Sequence, residues 1–239
     1  MPHAVDFRLD DFEAATEQVG EAFWQHIEIH ETDFTGLAEH HTPDGQHSYY
    51  VLHDGSATWG IPGEPQIVAL HIQRDTSTRV FRFQHAILPL PGMAQSWLIA
   101  RGCSKEGTRL LPDARTASAD DTTRALEERL MGDGGGDHFA LLTSYTDDTS
   151  DTPEITVLLH AVNEQEPLPF RVLLERIDTT SRTHTLREGA FRTYAEATIW
   201  WEAHWSGEAP ELPALPAGTP IAALPAVAVP ASPPPGRTR

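Results

Sequence analysis

The sequence predicts an α+β fold made of two copies of one unit, each with four antiparallel strands followed by a helix and preceded by another. Three observations carry this. The chain matches itself without a gap from about Ile67 to Ala100 when shifted by 103 residues. The matched runs alternate apolar and polar residues around short Asp-Thr-Ser turns, the period of half-buried strands. Apolar stripes at helical spacing lie before and after the strand runs, and glycines close them.

Taken in order, residues Asp10 to His30 place Phe12, Ala15, Val19, Phe23 and Ile27 along one stripe. Acids Asp11, Glu17, Glu21 and Glu28 fall mostly off it, as expected of a helix lying on a core. Strands follow at Asp33-Phe34 to His40, at Tyr49 to His53 and at Ile67 to His71. The pentad Asp75-Thr76-Ser77-Thr78-Arg79 reads as a hairpin turn, with the carboxylate taking nearby amides. Phe81, Phe83 and Ile87 then alternate with Arg82 and Gln84, and Gly92 to Ala100 forms a short helix ending at Gly102.

The second copy repeats this order. Asp120 to Met131 is a helix with Leu126 and Leu130 four apart, stopped by Gly132. The run Gly134-Gly135-Gly136 reads as a flexible linker. His138-Phe139 to Tyr145, Thr156 to His160 and Phe170 to Leu174 match the first three strands, and Asp178-Thr179-Thr180-Ser181-Arg182 matches the turn. The last helix opens with the capping box Thr193 to Glu196. Its stripe is Tyr194, Thr198, Trp201 and Trp205, flanked by Trp200 and His204, and Gly207 ends it.

These limits divide the chain into a first unit at 1–105, a linker at 106–117, a second unit at 118–207 and a tail at 208–239. Nine of the last 32 residues are proline. Proline removes backbone donors and blocks helix, so the tail is expected to be disordered and to add little to the core.

Composition narrows the function classes. The 239 residues carry 35 acids against 17 bases, a net charge of -18, and Lys105 is the one lysine. Such acidity disfavours general attachment to nucleic acid phosphates or anionic membrane. One cysteine excludes a disulfide framework. No apolar run approaches the ~18 residues of a membrane span, and no leader pattern is visible. A cytoplasmic protein is expected.

Chemical motifs are sparse. His26 and His30 stand four apart on the first helix, a spacing that can aim two imidazoles at one ion, and His40 and His41 follow. A metal-dependent hydrolase is therefore one reading, but the Glu of the zinc-protease helix motif is missing and no metal is expected. Cys103 has no identifiable base, and the glycine run follows a helix rather than a strand, unlike a phosphate loop. No nucleophile elbow or calcium loop occurs. No catalytic residue and no cofactor follow from these residues.

Arginines crowd both hairpins: Arg79 and Arg82 in the first, Arg182 and Arg187 in the second. Over roughly residues 34–205 the order of four strands and a helix, used twice, resembles that of Whirly and Pur-type single-strand-binding folds. That resemblance of order implies a nucleic-acid-binding alternative in which arginines hold phosphates and aromatics stack bases. The leading expectation is a non-enzymatic binding or regulatory module that recognises a protein partner. Trp24, Trp201 and Trp205 are its expected contacts, because aromatics beyond the needs of the core tend to sit at interfaces.

Overall fold

The computed structural model describes residues 5–61, 63–112, 114–149, 151–213 and 215. The first copy runs β1 (Glu13–Ala14), α1 (Glu17–His26), β2 (Phe34–His41), β3 (His47–Asp54), α2 (Ala57–Gly60), β4 (Ile67–Asp75), β5 (Val80–Leu88) and α3 (Pro91–Ile99). The second runs β6 (Ala117–Ser118), α4 (Asp121–Met131), β7 (Phe139–Asp147), β8 (Glu154–Ala161), β9 (Phe170–Asp178), β10 (Thr183–Phe191) and α5 (Tyr194–Trp205). The sheets have the orders β1-β5-β4-β3-β2 and β6-β10-β9-β8-β7. In each, four strands form an antiparallel meander and the two-residue strand lies parallel to the last of them.

The duplication is present at the level of backbone. β9, β10 and α5 begin 103 residues after β4, β5 and α3. Arg79 and Arg182 occupy the same turn position, and both adopt left-handed backbone, at φ 57° and 54°. Even an irregularity repeats: β2 slips register between Gly36 and Ala38, and β7 slips between Leu141 and Thr143. Leu37 and Leu142 are thus equivalent bulge residues.

Each sheet has a helix on both faces, so its central strands are buried on both sides and read as continuous apolar runs. Tyr50, Leu52, Leu70 and Ile72 face α1 and its Phe23. Tyr49, Val51, Ile67 and Ala69 face α3 through Ala94 and Leu98. In the second copy Val157, Leu159, Leu173 and Leu186 face α4, and Leu158, Val172 and Leu174 face α5. The two copies meet where α3 packs on α4, because Leu90, just before α3, and Met93 within it belong to the α4-side cluster of the second sheet. Gly92 makes that approach possible: a Cβ there would lie 3.2 Å from the Leu130 Cβ and 3.4 Å from the Glu127 carbonyl. Among the described residues no helix is long and apolar enough to cross a membrane.

Several sequence expectations need correction. The first helix starts at Glu17 rather than Asp10. Asp11 is left-handed at φ 66°, Glu13–Ala14 pairs with β5, and Thr16 caps the helix by accepting the Val19 amide. Two-residue strands lie below any periodic signal. On α5 the buried face is set by Ala197 and Trp200, about one residue round from the expected stripe, and Tyr194 is exposed. The glycine run is a docked turn instead of a free linker: the Gly135 amide donates to Ser96 Oγ, and a Cβ there would sit 2.9 Å from that of Ala100.

The segment read as a tail from Glu208 is held at its start. Pro210 carbonyl accepts the Trp200 indole N–H at 3.0 Å, Pro213 carbonyl accepts the Ala190 amide, and Ala209 and Leu212 pack against the α5 cluster. Residues 216–239, the bulk of the expected tail, lie outside the described residues. Leu212→Ala should therefore destabilise the protein by about 1–3 kcal/mol in chemical denaturation, below the full cost of truncating a buried leucine because Leu212 is half-buried. An unchanged midpoint would show that residues 209–213 do not belong to the core.

Candidate functional site

The two copies differ most at the free edge of the sheet. In the first, β2 is sealed: Phe34, Leu37 and Ala38 are buried, and the Leu111 amide donates to the Leu37 carbonyl at 2.7 Å. The segment after α3 supplies that cover, with Leu110 and Ala114 packed on the same face. In the second, the segment after α5 takes a different course, along the C-terminal half of β10. Among the described residues, nothing covers the edge of β7 before Thr146. Leu37 is 4% exposed and its equivalent Leu142 is 44% exposed; Leu141 and Tyr145 are exposed with it.

Edge strands are ordinarily protected by charge, proline or shortness. β7 is nine residues long and carries no charged residue before Asp147. Among the described residues its only outward backbone bond is from the Thr146 amide to the Gly63 carbonyl. Backbone groups alternate sides along a strand, so Ser144 presents its N–H and C=O outward as well. Around the C-terminal end, Tyr145 lies 4.5 Å from the Trp205 ring, and Asp148 accepts from Thr58 Oγ1 and Gln66 Nε2. Trp59 and Ile61 stand exposed on the same incoming loop. Asp133 and Asp137 mark the other end of the strand, and Asp147 and Asp148 this one.

A second divergence lies inside the sheet, under α4. Where the first copy has Phe23, Ile72 and Phe81 around one aromatic cage, the second has Glu127, Glu175 and His184. Strand pairing fixes the equivalence: Phe81 sits opposite Arg74 and Ala14, and His184 opposite Ile177 and Ser118. His184 bonds Thr116 Oγ1 through Nδ1 at 3.0 Å and Glu127 Oε1 through Nε2 at 2.8 Å. Ser118 donates to Glu127 at 2.5 Å, and Arg115 pairs with both Glu127 and Glu175. Burial by itself raises the Glu127 carboxyl, but the donors His184 and Ser118 and the Arg115 charge outweigh it and hold it below its ordinary value. The cluster joins β6, α4, β9 and β10 through paired and hydrogen-bonded groups; it is a polar core.

The residues singled out from sequence fall into separate places. Trp24 is exposed on α1, Trp201 packs half-buried against the second sheet, and Trp205 joins Tyr145 beside the open edge. Of the hairpin arginines, Arg79 lies 5.5 Å over the Phe12 ring, Arg82 is exposed, Arg182 sits on the second turn, and Arg187 is tied to Asp120 at 2.5 Å. His26 stacks near His85 and His30 near Phe34, and among the described residues no three His, Cys, Asp or Glu converge to hold a metal. His71 is buried with Nε2 3.0 Å from His47 Nδ1, and its pKa is pushed down to about 4, chiefly by burial. Cys103 is buried and its thiol is pushed up to about 11 by desolvation, which disfavours a nucleophilic thiolate. Leu141, Leu142 and Tyr145 were missed; their signal is the uncharged, proline-free run 138–146.

No protein-family model, curated protein or solved structure matches this chain.

The polar core yields a stability test. Replacing it together with apolar groups of similar volume, as in Arg115→Met/Glu127→Leu/Glu175→Ile/His184→Phe, should leave stability within about 2 kcal/mol of the wild type or raise it, whereas Arg115→Ala alone should cost about 3–5 kcal/mol by stranding Glu175. A carboxylate held low stabilises the fold above its unfolded pKa of ~4.3 and loses that contribution as pH falls through its folded pKa. The combined variant should therefore unfold less steeply below pH 4.3 than the wild type, read by far-ultraviolet circular dichroism.

Proposed function

We propose that this protein is a non-enzymatic recognition module that binds a partner protein by adding an extended segment of it to the edge of β7. The observation that carries the reading is the contrast between Leu37, sealed by its own chain, and Leu142, its equivalent, left in solvent. Strand addition draws affinity from main-chain bonds, each worth about 0.5–1.5 kcal/mol net, and specificity from alternate side chains. Tyr145, Trp205, Trp59 and Ile61 supply apolar surface at one end of the groove.

Charge selects the occupant. Asp133 and Asp137 at one end and Asp147 and Asp148 at the other favour a segment with basic flanks. Antiparallel pairing with a second copy would set these acidic ends against each other, which argues for a different protein. A reducing cytoplasmic setting accords with the single buried thiol. The nucleic-acid alternative draws less support, since Arg187 is occupied by Asp120.

Ser144→Pro tests this reading, because it removes one outward donor while proline remains tolerated on an edge strand. Peptides selected from a display library on the full chain should be extended and flanked by Lys or Arg. They should slow hydrogen exchange at the Ser144 amide, and bind Ser144→Pro about tenfold or more weakly at unchanged melting temperature. Binders indifferent to this substitution, or an amide already protected in the free chain, would overturn it.

A further inference from the structure

We infer that the pocket at the head of β7 takes one long basic side chain, lysine or arginine, of the bound segment. The inference rests on the strand-addition reading and names what that segment carries.

The pocket lies between the two copies and has a volume of about 240 Å³. That is below the ~300–1,000 Å³ of cavities that enclose drug-sized ligands, and it suits a single side chain. Its walls are mainly apolar: Met93 and Trp97 from α3, Leu130 from α4, and Leu159 from β8. Phe139, Ala140 and Leu141 line it from β7. Successive side chains of a strand point to opposite faces, so a pocket that touches three in a row reaches around the edge of β7. A strand added there would pass its mouth.

One carboxyl interrupts the apolar lining. Asp133 follows α4, its side chain is 17% exposed, and among the described residues it is the one titratable group in the wall. Desolvation pushes it up to about 6, against the opposing influence of the His138 ring and the His138 and Gly136 amides. The titratable groups that face it are His138, whose Nδ1 lies 3.8 Å from Oδ1, and Asp137, which raises it further. That His138 nitrogen is buried and has no hydrogen-bond partner. α3, β5 and β8 bring no titratable group to the lining. A leucine entering here would bury the carboxylate further and bring it no cation, at a cost. A lysine or arginine lays its methylene stem along Met93, Trp97 and Leu159 and sets its cation on Asp133. The shape and the charge of the pocket ask for the same residue.

The probes are n-hexylammonium and n-hexanol, which share a stem and differ in the head. Each is titrated into the full chain while the Met93 methyl resonance is followed. At pH 7.5 the amine should bind saturably and at least fivefold more tightly than the alcohol. Asp133→Asn should bring the amine down to the level of the alcohol. In the wild type the affinity for the amine should fall about fourfold between pH 7.5 and 5.5, as a carboxyl titrating near 6 loses its charge. This arm keeps the test independent of how well the variant folds. Equal affinity for the two probes, no saturable shift, or an amine affinity untouched by Asp133→Asn would overturn the inference. Ser144→Pro should leave amine binding unchanged, so the pocket and the strand-addition reading fail separately.

Discussion

Helix α3 is covered on both sides, and the relative placement of the two sheets follows from that. Ala94 and Leu98 close the first sheet, while Leu90 and Met93 complete the core of the second. A helix in this position has no solvent face for charge, and Pro91 to Ile99 carries none. It also needs a gap through which α4 can approach, and Gly92 supplies it. The glycine turn after α4 then docks on the same helix through Ser96. Two units that repeat in sequence are thereby locked into one asymmetric body, with a pocket at the seam.

The asymmetry is most informative where equivalent positions differ. Both copies need cover for an edge strand, and the first obtains it from the residues after α3. The second spends the corresponding residues on β10, where Pro213 and Trp200 hold them. An edge with outward Leu, Leu and Tyr side chains is a hazard for self-association unless something occupies it. Under the strand-addition proposal, the acidic ends of β7 disfavour a second copy and favour a basic segment of another protein.

Most of the framework was legible because it depends on period and punctuation. The shift of 103 residues located β4, β5, α3 and their equivalents to within a few residues, since Asp75 and Asp178 fix the turns by accepting the amides two and three residues on. The capping box at Thr193 and Glu196 fixed the start of α5 in the same local way. β1 and β6 were not legible, for two residues have no period. The face of α5 was misplaced because Trp200 lies on one side of that helix and Trp201 and Trp205 on another, so apolarity alone could not orient it. The open edge was legible only after the fold was known. A run such as Phe139 to Thr146 looks like any strand until its neighbours show which side is empty.

The polar core under α4 gives the two halves different responses to heat. An aromatic cage such as Phe23, Phe81 and Phe83 gains little further stability per unit area as temperature rises, because its driving force plateaus. The dehydration cost of Arg115, Glu127 and Glu175 falls on warming, since the hydration of charged groups becomes less favourable. One structural unit thus occurs in two thermal versions within a single chain. The half that offers the open edge is held by charges whose burial grows easier as the solvent warms.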